Sequence, residues 1–123
     1  MHKFGSLIRS KREESGMLLR HLAAKLDIDT AMLSKIERGE RTAKRDQVDG
    51  LIEILKWDNQ NAKTLWLADQ LYAMISEEDE AISALHVAEE QVKYNRTQKT
   101  IRKSLFTISN QNKTALWKIS QYR

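Results

Sequence analysis

Side chains able to recognise another molecule gather in one short stretch of this chain. Thr30 and Ser34 offer hydroxyls there, Ala31 a methyl group and Lys35 an ammonium group. Arg38, Arg41, Lys44 and Arg45 follow closely, and Arg20 lies a little upstream. On the outward face of a helix, the first group suits base edges in a DNA major groove, which present donors, acceptors and the thymine methyl. The basic group suits phosphates, whose contacts position a protein and supply most of its sequence-independent affinity. Met32 has two readings: turned outward it meets a thymine methyl, turned inward it joins the core.

Bond-making chemistry finds no comparable arrangement. His2, His21 and His86 are scattered without a helical i, i+4 pair, and the chain has no cysteine to complete a metal site. The run Glu77 to Glu80 resembles paired carboxylates, but it fits the acidic first turn of a helix, with Ser76 as the cap. No glycine loop for a phosphate and no nucleophile with a neighbouring base can be named. The expectation is therefore no enzyme, no cofactor and no metal.

The elements that carry the recognition residues are short and amphipathic. Leu18, Leu22 and Leu26 recur at helical spacing with Ala23 beside them, and Ile28, Leu33 and Ile36 form a second stripe that Gly39 ends. Asp27, Ile28 and Asp29 make the turn between them. Ala23 is small enough to let two steeply crossing helices approach. Two such helices joined by a tight turn form a helix-turn-helix.

Residues 17–39 resemble the phage-repressor-like (Cro/Xre-type) DNA-binding family, whose pattern Leu22, Ala23, Ile28, Leu33, Ser34, Ile36, Glu37 and Gly39 match in register. The chain departs from it at three places. Asp27 stands where relatives carry glycine, Asp29 where they carry Ser or Thr, and Leu19 where they often carry Gln. Asp tolerates a left-handed backbone and caps helices, so the first two keep the geometry. The third removes a side chain that in relatives often holds a phosphate. The resemblance implies a lambda-repressor-like domain whose second motif helix enters the major groove. It also implies a structural ion pair between Arg12 and Glu37, joining the first helix to the recognition helix.

Composition agrees with helices. The chain has 123 residues, no proline, 4 glycines and 31% charged residues. Its length suits one domain with an appendage. No apolar run approaches the ~18 residues of a membrane span, and the first residues lack a signal-peptide core. A cytoplasmic protein without membrane contact is expected.

The net charge of +4 is unevenly spread. Residues 1–56 are mildly basic, residues 57–90 hold Lys63 as their only base among eight acids, and residues 91–123 contain no acid at all. The expected organisation is all-α, in three parts. Residues 1–60 form a compact helix-turn-helix domain of about four to five helices, with helices near 4–14 and 44–56 flanking the motif. Val48, Leu51, Ile52 and Leu55 form the inner face of the latter, and Gly50 marks close packing. Residues 61–94 are a helical extension, probing for a partner through Leu65, Trp66, Tyr72, Ile82 and Leu85, the expected dimer interface. Residues 95–123 form a basic segment, partly ordered, with short apolar groups around Leu105 and around Leu116, Trp117 and Ile119 separated by Asn110, Gln111 and Asn112.

These features point to a dimeric, sequence-specific transcriptional regulator on palindromic double-stranded DNA, of repressor or controller type. The other reading is an antitoxin-type module that neutralises a protein partner through its C-terminal helices and regulates its own promoter. The basic segment is either an arm on phosphates or a helix docked on the acidic region.

Overall fold

In the computed structural model, the backbone is described over residues 2–121 and side chains as far as Asn110. The regular elements are α-helices: α1 Lys3–Glu14, α2 Leu19–Leu26, α3 Thr30–Glu37, α4 Arg45–Leu55, α5 Asn59–Ile75 and α6 Ala81–Gln121. Contacts divide the chain into two units, Met1–Glu77 and Glu78–Arg123. Among the described residues no helix is long and apolar enough to cross a membrane.

The first unit is a bundle around one core. Phe4 and Ile8 enter it from α1, Leu22 and Ala23 from α2, and Leu33 and Ile36 from α3. Val48, Leu51 and Leu55 of α4 complete the centre, spaced at i, i+3 and i+7 so that they share one face. Ala43, Trp57 and Ala62 seal it from the connections and from α5. Leu18, expected to head the α2 stripe, is instead the residue before the helix and half-exposed, while Leu19 packs on the core. Leu7 is likewise at the rim of α1 rather than in the centre.

Trp57, where the helical pattern of α4 breaks, is a core anchor. Lys56 turns the chain with a left-handed φ of 53°, which drops Trp57 onto Phe4 with ring centroids 5.4 Å apart and planes 12° from parallel. Lys11 also lies over the indole, its Nζ 5.5 Å from the ring centre.

Helix α5 belongs to this unit, so residues 59–75 close the helix-turn-helix domain rather than open an extension from it. Its start is set by Asp58, whose carboxylate accepts from the Asn61 N–H at 2.8 Å. Ala62, Leu65 and Trp66 face the core, and the Trp66 Nε1–H donates to the Ala43 carbonyl at 2.8 Å. Asp69 reaches the opposite end of the chain and accepts from the Phe4 N–H at 2.8 Å and the Lys3 N–H at 3.3 Å. A carboxylate there satisfies the orphan donors of α1 and complements its dipole. The outer face of α5 leaves Leu67, Leu71 and Met74 exposed.

The second unit is the single helix α6, of 41 residues. It corrects two expectations. Ser76 does not open a helix; it ends α5, its N–H donating to the Tyr72 carbonyl at 2.9 Å. The acids that follow therefore lie before α6, where the Ala81 N–H donates to the Glu78 carbonyl at 3.2 Å, and the first turn itself carries no acid. Nor does the helix break near residue 95 or at residues 110–112. No glycine or proline follows Gly50, and polar residues alone do not stop a helix. Thr97, Thr100 and Thr107 return their hydroxyls to the carbonyls of Lys93, Arg96 and Lys103, at 2.9, 3.0 and 3.0 Å. A Glu89–Lys93 ion pair at 3.0 Å adds support one turn apart. The side chains of Leu116, Trp117 and Ile119 lie outside the described ones.

Candidate nucleic-acid interface

The turn that aims α3 is built from the backbone. Asp27 adopts the left-handed conformation, φ 56° and ψ 44°, ending α2. Its N–H donates to the Ala24 carbonyl at 3.1 Å, and the next N–H, of Ile28, donates to the Ala23 carbonyl at 3.0 Å. This paired closure satisfies the last carbonyls of α2 and fixes the exit direction of the chain. Asp29 then caps α3, its carboxylate accepting from the Ala31 N–H at 3.5 Å, a long bond. Leu33 and Ile36 bury the inner face of α3.

What remains outside is short and polar. Thr30, Ala31 and Lys35 are exposed and Ser34 is half-buried, so these four form the outer face of the first two turns. Met32 is turned inward: it packs against the core, and its Sδ accepts from Gln47 Nε2 at 3.5 Å. Of its two readings, the core one describes its position.

The far end of α3 is held by a buried ion pair. Arg12 Nε donates to both Glu37 oxygens, at 3.1 and 3.2 Å, and Nη2 lies 3.1 Å from Oε1. Nη1 donates to the Met17 carbonyl at 2.9 Å. The side chains are only 12% and 5% exposed. One guanidinium thus ties α1, the α1–α2 turn and α3 together, with bidentate geometry that resists rotation. Gly5 on α1 lies directly against the end of α3: a Cβ there would fall 2.5 Å from the carbonyl oxygens of Ile36 and Glu37. Gly39, at φ 75°, turns the chain out of α3, with its N–H donating to the Ile36 carbonyl at 3.1 Å.

The basic residues around α3 are not equivalent. Arg20, Arg38, Arg41, Lys44 and Arg45 are all exposed. Arg38 is engaged, its Nη1 3.2 Å from Glu40 and its Nε 3.4 Å from the Ser34 carbonyl. Arg45 lies over the Trp66 ring at 5.4 Å. Lys44 immediately precedes α4 and is exposed, its backbone N–H donating to Gln47 Oε1 at 2.9 Å.

The residues expected at a dimer interface fall into different situations. Leu65 and Trp66 are spent on the core of the first unit, whereas Tyr72 is exposed on it. Ile82 and Leu85 lie on α6, 68% and 39% exposed. Sequence periodicity missed Asp69 and Gly5. The first works through a contact across 65 residues of sequence, and the second has no side chain for a hydrophobic pattern to register.

Residues 8–56 match the family described as helix-turn-helix. The match spans less than half of the chain and supports reading the protein as a DNA-binding transcription regulator. The chain is also similar to a chain of the SinR protein/SinI protein complex, at 24% identity and TM-score 0.41, over 79% of this chain and 98% of that one. No curated protein matches the sequence.

Proposed function

We propose that the protein is a sequence-specific regulator that binds a palindromic operator as a homodimer and controls a nearby promoter. The observation that carries this reading is the outer face of α3, with Thr30, Ala31, Ser34 and Lys35 free of core duties on a helix fixed at both ends. Such a face suits a major groove, which admits one α-helix and presents a distinct pattern for each base pair. Thr30 and Ser34 supply hydroxyls for base edges or phosphates, Ala31 a methyl contact to thymine, and Lys35 a cation for a guanine edge. Arg20, Arg41 and Lys44 are the principal phosphate contacts. Arg38 and Arg45 contribute once Glu40 and Trp66 release them.

One helix-turn-helix covers one groove face, so a two-fold pair reading half-sites about one turn (~10 bp) or a multiple apart gives the specificity that a lone domain lacks. Selecting bound DNA from a random library tests this. A palindromic consensus with that spacing is expected; recovery of unrelated sequences, or of a single unsplit half-site, would overturn it.

A further inference from the structure

Helix α6 carries a second periodicity beneath the loose apolar stripe of its first turns. Val87, Tyr94, Ile101 and Ile108 recur at strict seven-residue spacing. Four residues after Ile101, and three before Ile108, comes Leu105, and the same series contains Ala84, Gln91 and Gln98. This alternation of three and four is the heptad pattern, with Val87, Tyr94, Ile101 and Ile108 at d and Ala84, Gln91, Gln98 and Leu105 at a. The sequence continues it through Asn112, Ala115 and Ile119. The large apolar members are exposed: 59% for Val87, 68% for Tyr94, 44% for Ile101, 60% for Leu105 and 53% for Ile108.

We infer that this seam is a coiled-coil surface on which a second copy of α6 packs, parallel and in register. A strict seven-residue repeat drifts around a straight helix and lies on one line only when two helices supercoil, so the period itself calls for a helical partner. The amides decide which partner. In an antiparallel pair an a position faces a d position, and no d position from Val87 to Ala115 is an amide. Gln91 and Gln98 would then each be buried against an apolar or aromatic side chain. In a parallel pair shifted by one heptad, Gln98 would face Leu105. Only the parallel, in-register pair of identical chains places Gln91 on Gln91 and Gln98 on Gln98, where each amide both donates and accepts.

Charge does not oppose this arrangement, although residues 91–123 are wholly basic. Lys93, Arg96, Lys99 and Lys103 occupy the outer c, f and b positions. Between residues 84 and 110 the positions flanking the seam hold only Glu90 and Arg102 as charges, the rest being small or neutral. Ile82, Leu85, Val92 and Phe106 lie off the seam. The surface therefore differs from the dimer contact read from Ile82 and Leu85, and the inference rests on the dimeric reading above while relocating its interface.

The absence of native cysteine makes the test direct. The Val87→Cys variant of the whole 123-residue chain, oxidised at micromolar concentration, is expected to form a disulfide-linked homodimer. The residue lies near one end of α6, so an antiparallel pair holds the two thiols far apart and yields no cross-link. Sedimentation should show association for the wild-type chain and for Leu85→Asp, which lies off the seam. The double variant Ile101→Asp with Leu105→Asp should sediment as a monomer while the near-ultraviolet signal of Trp57 and Trp66 persists. A dimer that survives the double variant, is broken by Leu85→Asp or fails to cross-link through Val87→Cys overturns the seam and leaves the dimeric reading standing. A wild-type monomer overturns both.

Discussion

At the scale of residues, the face of α3 and the basic rim around it separate reading from holding. Thr30→Ala or Lys35→Ala should weaken binding to the selected operator by about 1–3 kcal/mol, with little change on random DNA, if each holds the base-edge contact proposed for it. Arg41→Ala or Lys44→Ala should weaken both DNAs alike and flatten the salt dependence by about one unit of slope. Anisotropy titrations on both DNAs at several salt concentrations separate the two behaviours; equal losses on both DNAs for all four variants would refute the assignment. Arg38→Ala should matter less than Arg41→Ala, since Arg38 must first leave Glu40.

The Arg12–Glu37 pair belongs to the same scale but acts on stability. Arg12→Ala leaves a carboxylate that is 5% exposed without its bidentate partner, a change of about 3–5 kcal/mol. Urea unfolding measures it, and the double variant Arg12→Met with Glu37→Leu should recover most of the loss, because removing both charges abolishes the desolvation penalty. An Arg12→Ala variant as stable as the wild type would show that Glu37 finds water or another donor. Periodicity alone does not join Arg12 to Glu37; the family resemblance suggested the pair, and the fold supplies its geometry.

At the scale of elements, legibility followed the strength of local signals. The α2–α3 motif was readable because Leu22, Ala23, Leu33 and Ile36 repeat at helical spacing between residues that favour turns. The end of α5 was not. Ser76 followed by four acids has the composition of a helix start, yet the preceding apolar run continues far enough to take Ser76 as its own terminus. The unbroken α6 was also missed, because the Asn and Gln residues near its middle resemble a linker although no residue there forbids a helix.

The close approach of α1 to α3 at Gly5 was hidden for a different reason, since Gly5 is conspicuous only once Ile36 and Glu37 are seen against it. Gly5→Ala should destabilise the domain although alanine favours helices, because the added carbon meets backbone oxygens at 2.5 Å that cannot rotate away. A loss of about 1–3 kcal/mol is expected, read as a lowered melting temperature. A rise would mean that α1 shifts freely along α3, and the rigid placement of the recognition helix would have to be abandoned.

For the whole molecule, the proposed reading assigns DNA recognition to the unit before Glu78 and pairing of copies to the unit after Glu77. A chain ending at Glu77 retains the core residues of the first unit, the Asp69 cap of α1 and the Arg12–Glu37 pair, so it should still unfold cooperatively. Its affinity for an isolated half-site should match that of the full chain. Its affinity for the two-half-site operator should fall by about 10²–10⁴, because the second contact no longer benefits from the effective concentration that linkage supplies. The melting temperature of the full chain should rise with protein concentration, as it does when association stabilises the folded state, and that of the shortened chain should not. The salt dependence on the half-site decides what the basic residues of α6 do. An unchanged slope per bound domain means that Lys93, Arg96, Lys99 and Lys103 serve the outer surface of a coil and leave phosphates to the first unit. A slope reduced by several units, together with weaker half-site binding, makes α6 a DNA-binding arm and transfers part of the affinity from the helix-turn-helix to the long helix.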